Sequence, residues 1–218
     1  MNSALRPKRS DESGFSLLEM LVAVLVFSVF LTIVLASMVG ITRASSRAQL
    51  LSRSSSNILL AFESFDRQLR YANAINFPGV GTSGAKYVEF RTAADSSPTH
   101  VITCTQWRFD PVSKSLQYRT WPDVVGASIS AWDTKIQDVV DFGTADYPFK
   151  MIPASLTGSS MQQMVLTVSA GTPLVTPGAA ISSNFVARNS SIQSPSNSNV
   201  VVPGKSDTPV CLASGNRP

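Results

Sequence analysis

Gly14-Phe15-Ser16-Leu17-Leu18-Glu19-Met20-Leu21-Val22-Ala23-Val24-Leu25-Val26 is the stretch on which the reading of this chain turns. Before it, Met1 to Ser13 is short and polar, with bases at Arg6, Lys8 and Arg9. After it the apolar character continues: Met20 to Ile41 gives 22 residues without a charge, closed by Arg43 and Arg47. As a helix these residues rise about 33 Å, enough to cross a hydrocarbon layer of ~30 Å. A secretory signal peptide fits poorly. Its apolar core runs about 7–15 residues and its small-residue cleavage site follows that core. Here the run is longer, and the small residue suited to processing, Gly14, precedes it.

Glu19 stands out because it lies inside the apolar stretch. A carboxylate held in lipid is costly without a partner. At the membrane surface, in a first helical turn, it favours the helix dipole. A more specific partner is also available. A cut after Gly14 gives Phe15 a new α-amine, and in a bundle of such helices Glu19 of one subunit can pair with the Phe15 amine of a neighbour. Burial then enforces register, because one unpaired charge is penalised far more than a pair.

The Gly14 to Glu19 motif, the basic leader and the long apolar run together resemble the cleavage and methylation motif of type IV prepilins and type II secretion pseudopilins. The resemblance implies a membrane peptidase, the prepilin peptidase, that cuts after Gly14 and N-methylates Phe15. It implies that Glu19 serves membrane extraction and assembly. It implies partners: other pilins or pseudopilins through helix packing, and an assembly platform with its ATPase. The location implied is the cytoplasmic (inner) membrane, crossed once with the head outside the cytoplasm, and after assembly a cell-surface or periplasmic filament. Asp11 and Glu12 depart from the family pattern, which often has bases just before the cut.

Beyond Arg43, apolar residues at Leu51, Ile58, Phe62, Phe65, Leu69 and Ala72 recur at spacings that make one helical stripe, and no proline intervenes before Pro78-Gly79. The serine-rich run from Ser45 to Ser56 fits either a joint or a polar helical turn, and helix is favoured. Strands are expected at Tyr87–Thr92, Val101–Phe109, Leu116–Trp121, Ile136–Phe142, Met164–Ser169 and Phe185–Asn189, with a turn at Asp110 to Lys114. The expected fold class is α+β: a long N-terminal helix, transmembrane in its first half, packed on an antiparallel sheet. The expected divisions are a cytoplasmic leader 1–14, a transmembrane assembly helix 15–42, its amphipathic continuation 43–75, a β-rich head 76–189 and a flexible tail 190–218, rich in Ser, Asn, Pro and Gly. The order of pieces, with the Phe65 to Arg70 stretch and the Trp/Tyr-rich hairpin, also resembles the J-type pseudopilin and the W-type minor pilin.

Two cysteines, Cys104 and Cys211, are too far apart for a CxxC motif. In an exported head they are expected to form one disulfide; the alternative is two unpaired thiols. The net charge of +4, from 18 bases and 14 acids, comes without a basic run interleaved with aromatics, so nucleic acid is not an expected partner. No cofactor or metal is expected. His100 is the lone histidine, Asp138, Asp141 and Asp146 show no calcium-ligand spacing, and Gly79 to Gly84 lacks the Lys-Ser/Thr of a phosphate loop. The chain therefore reads as the substrate of an enzyme and not as an enzyme. Its expected function is a structural subunit, minor in type, of a pilus or pseudopilus. The alternatives are a DNA-uptake pilin using exposed bases such as Arg91, Arg108 or Arg119, or a plain membrane-anchored exported protein.

Overall fold

The computed structural model describes residues 16–144, 147–171, 179–202, 204–211 and 217. Gly14, Phe15 and Asp146 lie outside these. The chain divides into two compact units, Met1–Ser46 and Arg47–Pro218, each described by itself.

A single helix, α1, covers Leu17–Leu69, 53 residues. Its serine-rich stretch is helical throughout. Within the second unit, Ile58, Ala61, Phe62, Phe65 and Leu69 are its buried face, while Leu59 and Leu60 point to solvent. Leu51, placed in the same stripe by spacing, is 40% exposed. The helix stops earlier than the sequence pattern suggests. Ala72–Ile75 leaves the expected helical segment 43–75 and forms strand β1. Pairing with a neighbouring strand outweighs the good helix propensity of its two alanines. The freed carbonyls at the helix end find partners: Arg188 N–H donates to Arg70 O at 2.9 Å, and Asn189 Nδ2 donates to Tyr71 O at 3.2 Å.

The strands that follow are β2 (Gly79–Val80), β3 (Lys86–Thr92), β4 (Thr103–Asp110), β5 (Ser115–Pro122), β6 (Asp133–Ile136), β7 (Phe149–Ile152), β8 (Gln163–Ala170) and β9 (Ala179–Val186). They make two antiparallel sheets instead of the one expected. The larger has the order β1-β3-β4-β5-β6 with β2 on β3, and the smaller the order β7-β8-β9. The β4–β5 turn is held by the Asp110 carboxylate, which accepts from Val112 N–H at 3.0 Å and Ser113 Oγ at 2.8 Å. The strand expected over Ile136–Phe142 is displaced: β6 ends at Ile136, and Val139 instead bridges to Ala170 of β8.

Alternation along β3, β4 and β5 gives the larger sheet two distinct faces. Val88, Phe90, Trp107, Phe109 and Leu116 join the helix in the main core, together with Phe149, Met164, Leu166, Val168 and Phe185 of the smaller sheet. Phe65 sits at the meeting point, with ring centroids 5.9 Å from Phe90, 5.2 Å from Trp107 and 5.2 Å from Phe185. Trp107 Nε1 donates to Gln68 Oε1 at 2.8 Å, a polar tie between sheet and helix.

Residues 190–211 depart most from expectation. Instead of a flexible tail, their described part is docked, because its serines supply what an edge strand lacks. Ser194 Oγ donates to Asn73 O at 2.7 Å and Ser196 Oγ to Ile75 O at 2.6 Å, while Ser206 Oγ accepts from Phe77 N–H at 2.9 Å. These hydroxyls satisfy the outer edge of β1 and the residues just after it, which no other strand covers among the described residues. Cys211 is joined to Cys104 of β4 by a disulfide across a sequence separation of 107, and the bond is buried with Ala74, Trp121 and Val210 on the second face of the sheet. Closing so long a loop stabilises a head by about 4–5 kcal/mol in the chain-entropy account. Reduction with dithiothreitol is accordingly expected to lower the unfolding midpoint markedly. An unchanged melting curve with both thiols fully alkylated contradicts that expectation.

Candidate functional site

The first part of α1, from Leu17 to Ile41, is exposed along almost its whole length, including Leu21, Leu25, Phe27, Phe30, Ile33 and Met38. No soluble fold leaves such a cylinder bare. Its length and apolar composition suffice to cross a membrane. The hydroxyls within it are spent inside the helix: Ser28 Oγ donates to Val24 O, and Thr32, Ser37 and Thr42 donate to Ser28 O, Ile33 O and Met38 O at 2.8, 2.9 and 2.9 Å. Such bonds let polar side chains lie in an apolar surrounding. Glu19 is the acidic residue of the first helical turn and is exposed; among the described residues no cation faces it.

Residues 9–35 match the family of the prokaryotic N-terminal methylation motif. The chain thus carries a prepilin-type N-terminus. The matched residues include Gly14, Phe15 and Glu19, so the three positions singled out by their chemistry fall within one recognised motif. The match supports kinship of the N-terminus with type IV prepilins and pseudopilins. The apolar helix and the antiparallel sheets give the chain a pilin-like α+β architecture. Comparison with curated proteins and with solved structures returned no significant match.

On the pilin-like head, the bases considered for DNA contact are all engaged. Arg91 Nε donates to Asn73 Oδ1 at 3.3 Å, and its Nη1 lies 3.9 Å from Asp123. Arg108 and Arg119 stack on the Trp132 ring at 4.0 and 4.3 Å, and each donates across the ladder, to Gln117 Oε1 at 2.8 Å and Gln106 Oε1 at 2.7 Å. The Nε–H of each thus serves the sheet. His100 is exposed, with a left-handed φ of 55°. Asp141 is committed to Lys86 Nζ at 3.2 Å and to Gly143 N–H. Cys104, Asp123 and Cys211 come close together, but the two sulfurs are bonded to each other and are not thiolate ligands. A cleft of about 540 Å³ between β2, β3 and β7 is lined by Phe77, Val80, Lys86, Tyr147, Phe149 and Lys150; of its two cations, Lys86 is held by Asp141.

One polar centre escaped the sequence reading. Glu89 in β3 is 2% exposed and yet sits on a guanidinium, that of Arg217. Burial alone pushes its carboxyl up; the hydrogen bond and charge of Arg217, with Gln106 and Asn76, outweigh that and hold it below the usual carboxylate value. Only a single acid in the middle of a predicted strand signalled it, and its partner lies 128 residues away.

Proposed function

We propose that this chain is a structural subunit, minor in abundance, of a type IV pilus or type II secretion pseudopilus. It comprises a leader through Gly14, an assembly helix that starts at Phe15, and an extracytoplasmic head. Prepilin peptidase removes the leader after Gly14 and methylates the Phe15 amine. The subunit waits in the cytoplasmic membrane, and the platform and its ATPase draw it into a filament in which lipid-facing side chains become subunit contacts. Glu19 pairs with the Phe15 amine of a neighbour during that step. The observation that carries this reading is a methylation motif matched at residues 9–35 that runs, from Leu17 on, along a helix whose apolar side chains are exposed on every side.

The test is the mature N-terminus. Mass spectrometry of the protein from its native membrane is expected to find a chain that begins with N-methylated Phe15. Retention of Met1–Gly14, or cleavage after the apolar run, overturns the proposal. The reading of a plain exported anchor protein requires one of those two results.

A further inference from the structure

Glu89 lies on the face of the sheet opposite the helix, and the groups around it form a built socket. Gln106, its ladder partner, donates Nε2 to Oε1 at 2.9 Å. Asn76 donates Nδ2 to Oε2 at 3.1 Å, and its amide is fixed by Val210, whose N–H donates to Oδ1 at 2.8 Å and whose carbonyl accepts from Nδ2 at 3.0 Å. These donors are neutral and leave the charge uncompensated. Arg217 compensates it with a two-pronged approach: Nε donates to Oε1 at 2.9 Å and Nη2 to Oε2 at 2.6 Å. Nη2 also donates to the Phe77 carbonyl at 2.9 Å, and Thr82 N–H donates to the Arg217 carbonyl at 3.4 Å. Gly79 completes the socket, because a Cβ there would stand 2.1 Å from Arg217 Nη1. The glycine-rich segment that lacks a phosphate loop's lysine thus wraps a cation. A planar fork matches two carboxylate oxygens and a carbonyl at once; an ammonium cannot reach all three.

We propose that Glu89, Asn76, Gln106, the Phe77 carbonyl and Gly79 form a guanidinium-selective binding site that the chain fills with its own Arg217. The Cys104–Cys211 disulfide anchors the chain six residues before Arg217, which raises its effective concentration at the site. Without Arg217 a buried carboxylate is left with no opposite charge on it.

The site has a pH signature. Among the described residues, the other titratable groups on this face are Tyr87 and Arg91 on β3, Arg108 and, in the turn, Asp110 on β4, Arg119 on β5 and Asp123 after β5. Arg91 and Asp123 face each other, and Arg108 and Arg119 stack on Trp132, so Arg217 alone forks onto Glu89. A carboxyl lowered in the folded state adds stability that is full above its ordinary value of 4.5 and is lost as pH falls through the folded value. Removing Arg217 takes away its hydrogen bond and charge, two of the contributions that hold the carboxyl down, and with them that part of the stability. The deficit of Arg217→Ala is therefore widest at neutral pH and shrinks in acid.

The test uses the full, oxidised chain in detergent, with thermal unfolding read by tryptophan fluorescence and ethylguanidinium as the probe. Arg217→Ala is expected to lower Tm by several degrees at pH 7 and by less near pH 4. Millimolar ethylguanidinium is expected to restore part of that loss, where ethylammonium at equal ionic strength does not. The rescue is expected to vanish in the Arg217→Ala/Glu89→Gln double variant. Equal rescue by both cations, rescue that survives Glu89→Gln, or a wild-type Tm in Arg217→Ala overturns the site. Should Arg217→Ala fail to accumulate, Gly79→Ala carries the test with Arg217 intact. It is expected to lower Tm through the collision with the guanidinium, and an unchanged Tm overturns the proposal.

Discussion

Glu19→Ala is expected to yield a chain that is cut, methylated and held in the membrane but is missing from filaments, with incorporation reduced by about a hundredfold or more. Glu19 lies in the first turn of α1, flanked by the apolar side chains of Leu17, Leu18, Met20 and Leu21. In the proposed filament that surrounding is other subunits, a medium of low dielectric. The Phe15 amine, created only by the cut, is the one new cation each subunit brings. Taking away the acid leaves that amine buried and alone, a situation that costs about 3–5 kcal/mol. Each 1.4 kcal/mol is tenfold in an equilibrium, so subunit addition is strongly suppressed. Processing is not, because the peptidase acts before any neighbour is met. The measurement is paired: an immunoblot of sheared filaments against membranes, and the mass of the membrane-bound N-terminus. Glu19→Gln, which keeps the size and removes the charge, is expected to behave like the alanine variant. Normal filament content in either variant removes the ion pair from the assembly mechanism.

Phe65→Ala is expected to be the most damaging single truncation in the head, at about 3–5 kcal/mol. Its ring is fully buried and touches Phe90 and Trp107 of the larger sheet and Phe185 of the smaller. Few other side chains join the helix to both sheets, so the space left by its loss cannot close by a shift of one element. For a head of this size the loss corresponds to a fall in Tm of roughly 10 °C. Leu60→Ala, five residues earlier and 64% exposed, is the control and is expected to change stability by less than about 0.5 kcal/mol. A comparable fall in both variants means that the packing described around Phe65 does not hold the head together.

The parts of this fold that were legible in the sequence are those governed by local pattern. The apolar run, the stripe at Ile58, Phe62, Phe65 and Leu69, and the hairpin around Asp110 each repeat within a few residues. Ala72–Ile75 misled because two alanines continue a helical spacing, whereas the hydrogen bonds of β3 decide its state. Phe149–Ile152 is too short to show alternation between Pro148 and Pro153. The first part of β9, Ala179 to Asn184, is poor in β-branched residues and is a strand because β8 pairs with it along its length. The serine-rich segment after Ser190 looked unstructured because hydroxyls are counted as solvent-loving, yet here they serve as acceptors and donors for a strand edge. The chemistry of the N-terminus was readable for a different reason: Gly14, Phe15 and Glu19 are close in sequence, and their meaning depends on spacing. Glu89 and Arg217 have no such proximity.

The inward-turned hydroxyls of Ser28, Thr32, Ser37 and Thr42 bear on the energetics of leaving the bilayer. Beyond Glu19, a rod whose hydroxyls are already paired makes little demand on whatever surrounds it. Fatty acyl chains and the flank of a sister rod are then nearly interchangeable solvents, and exchanging one for the other breaks no bond within the rod. In the proposed assembly the mechanical work of a motor goes into displacement instead of rewiring, and the same cylinder slides back into lipid when a fibre is taken apart.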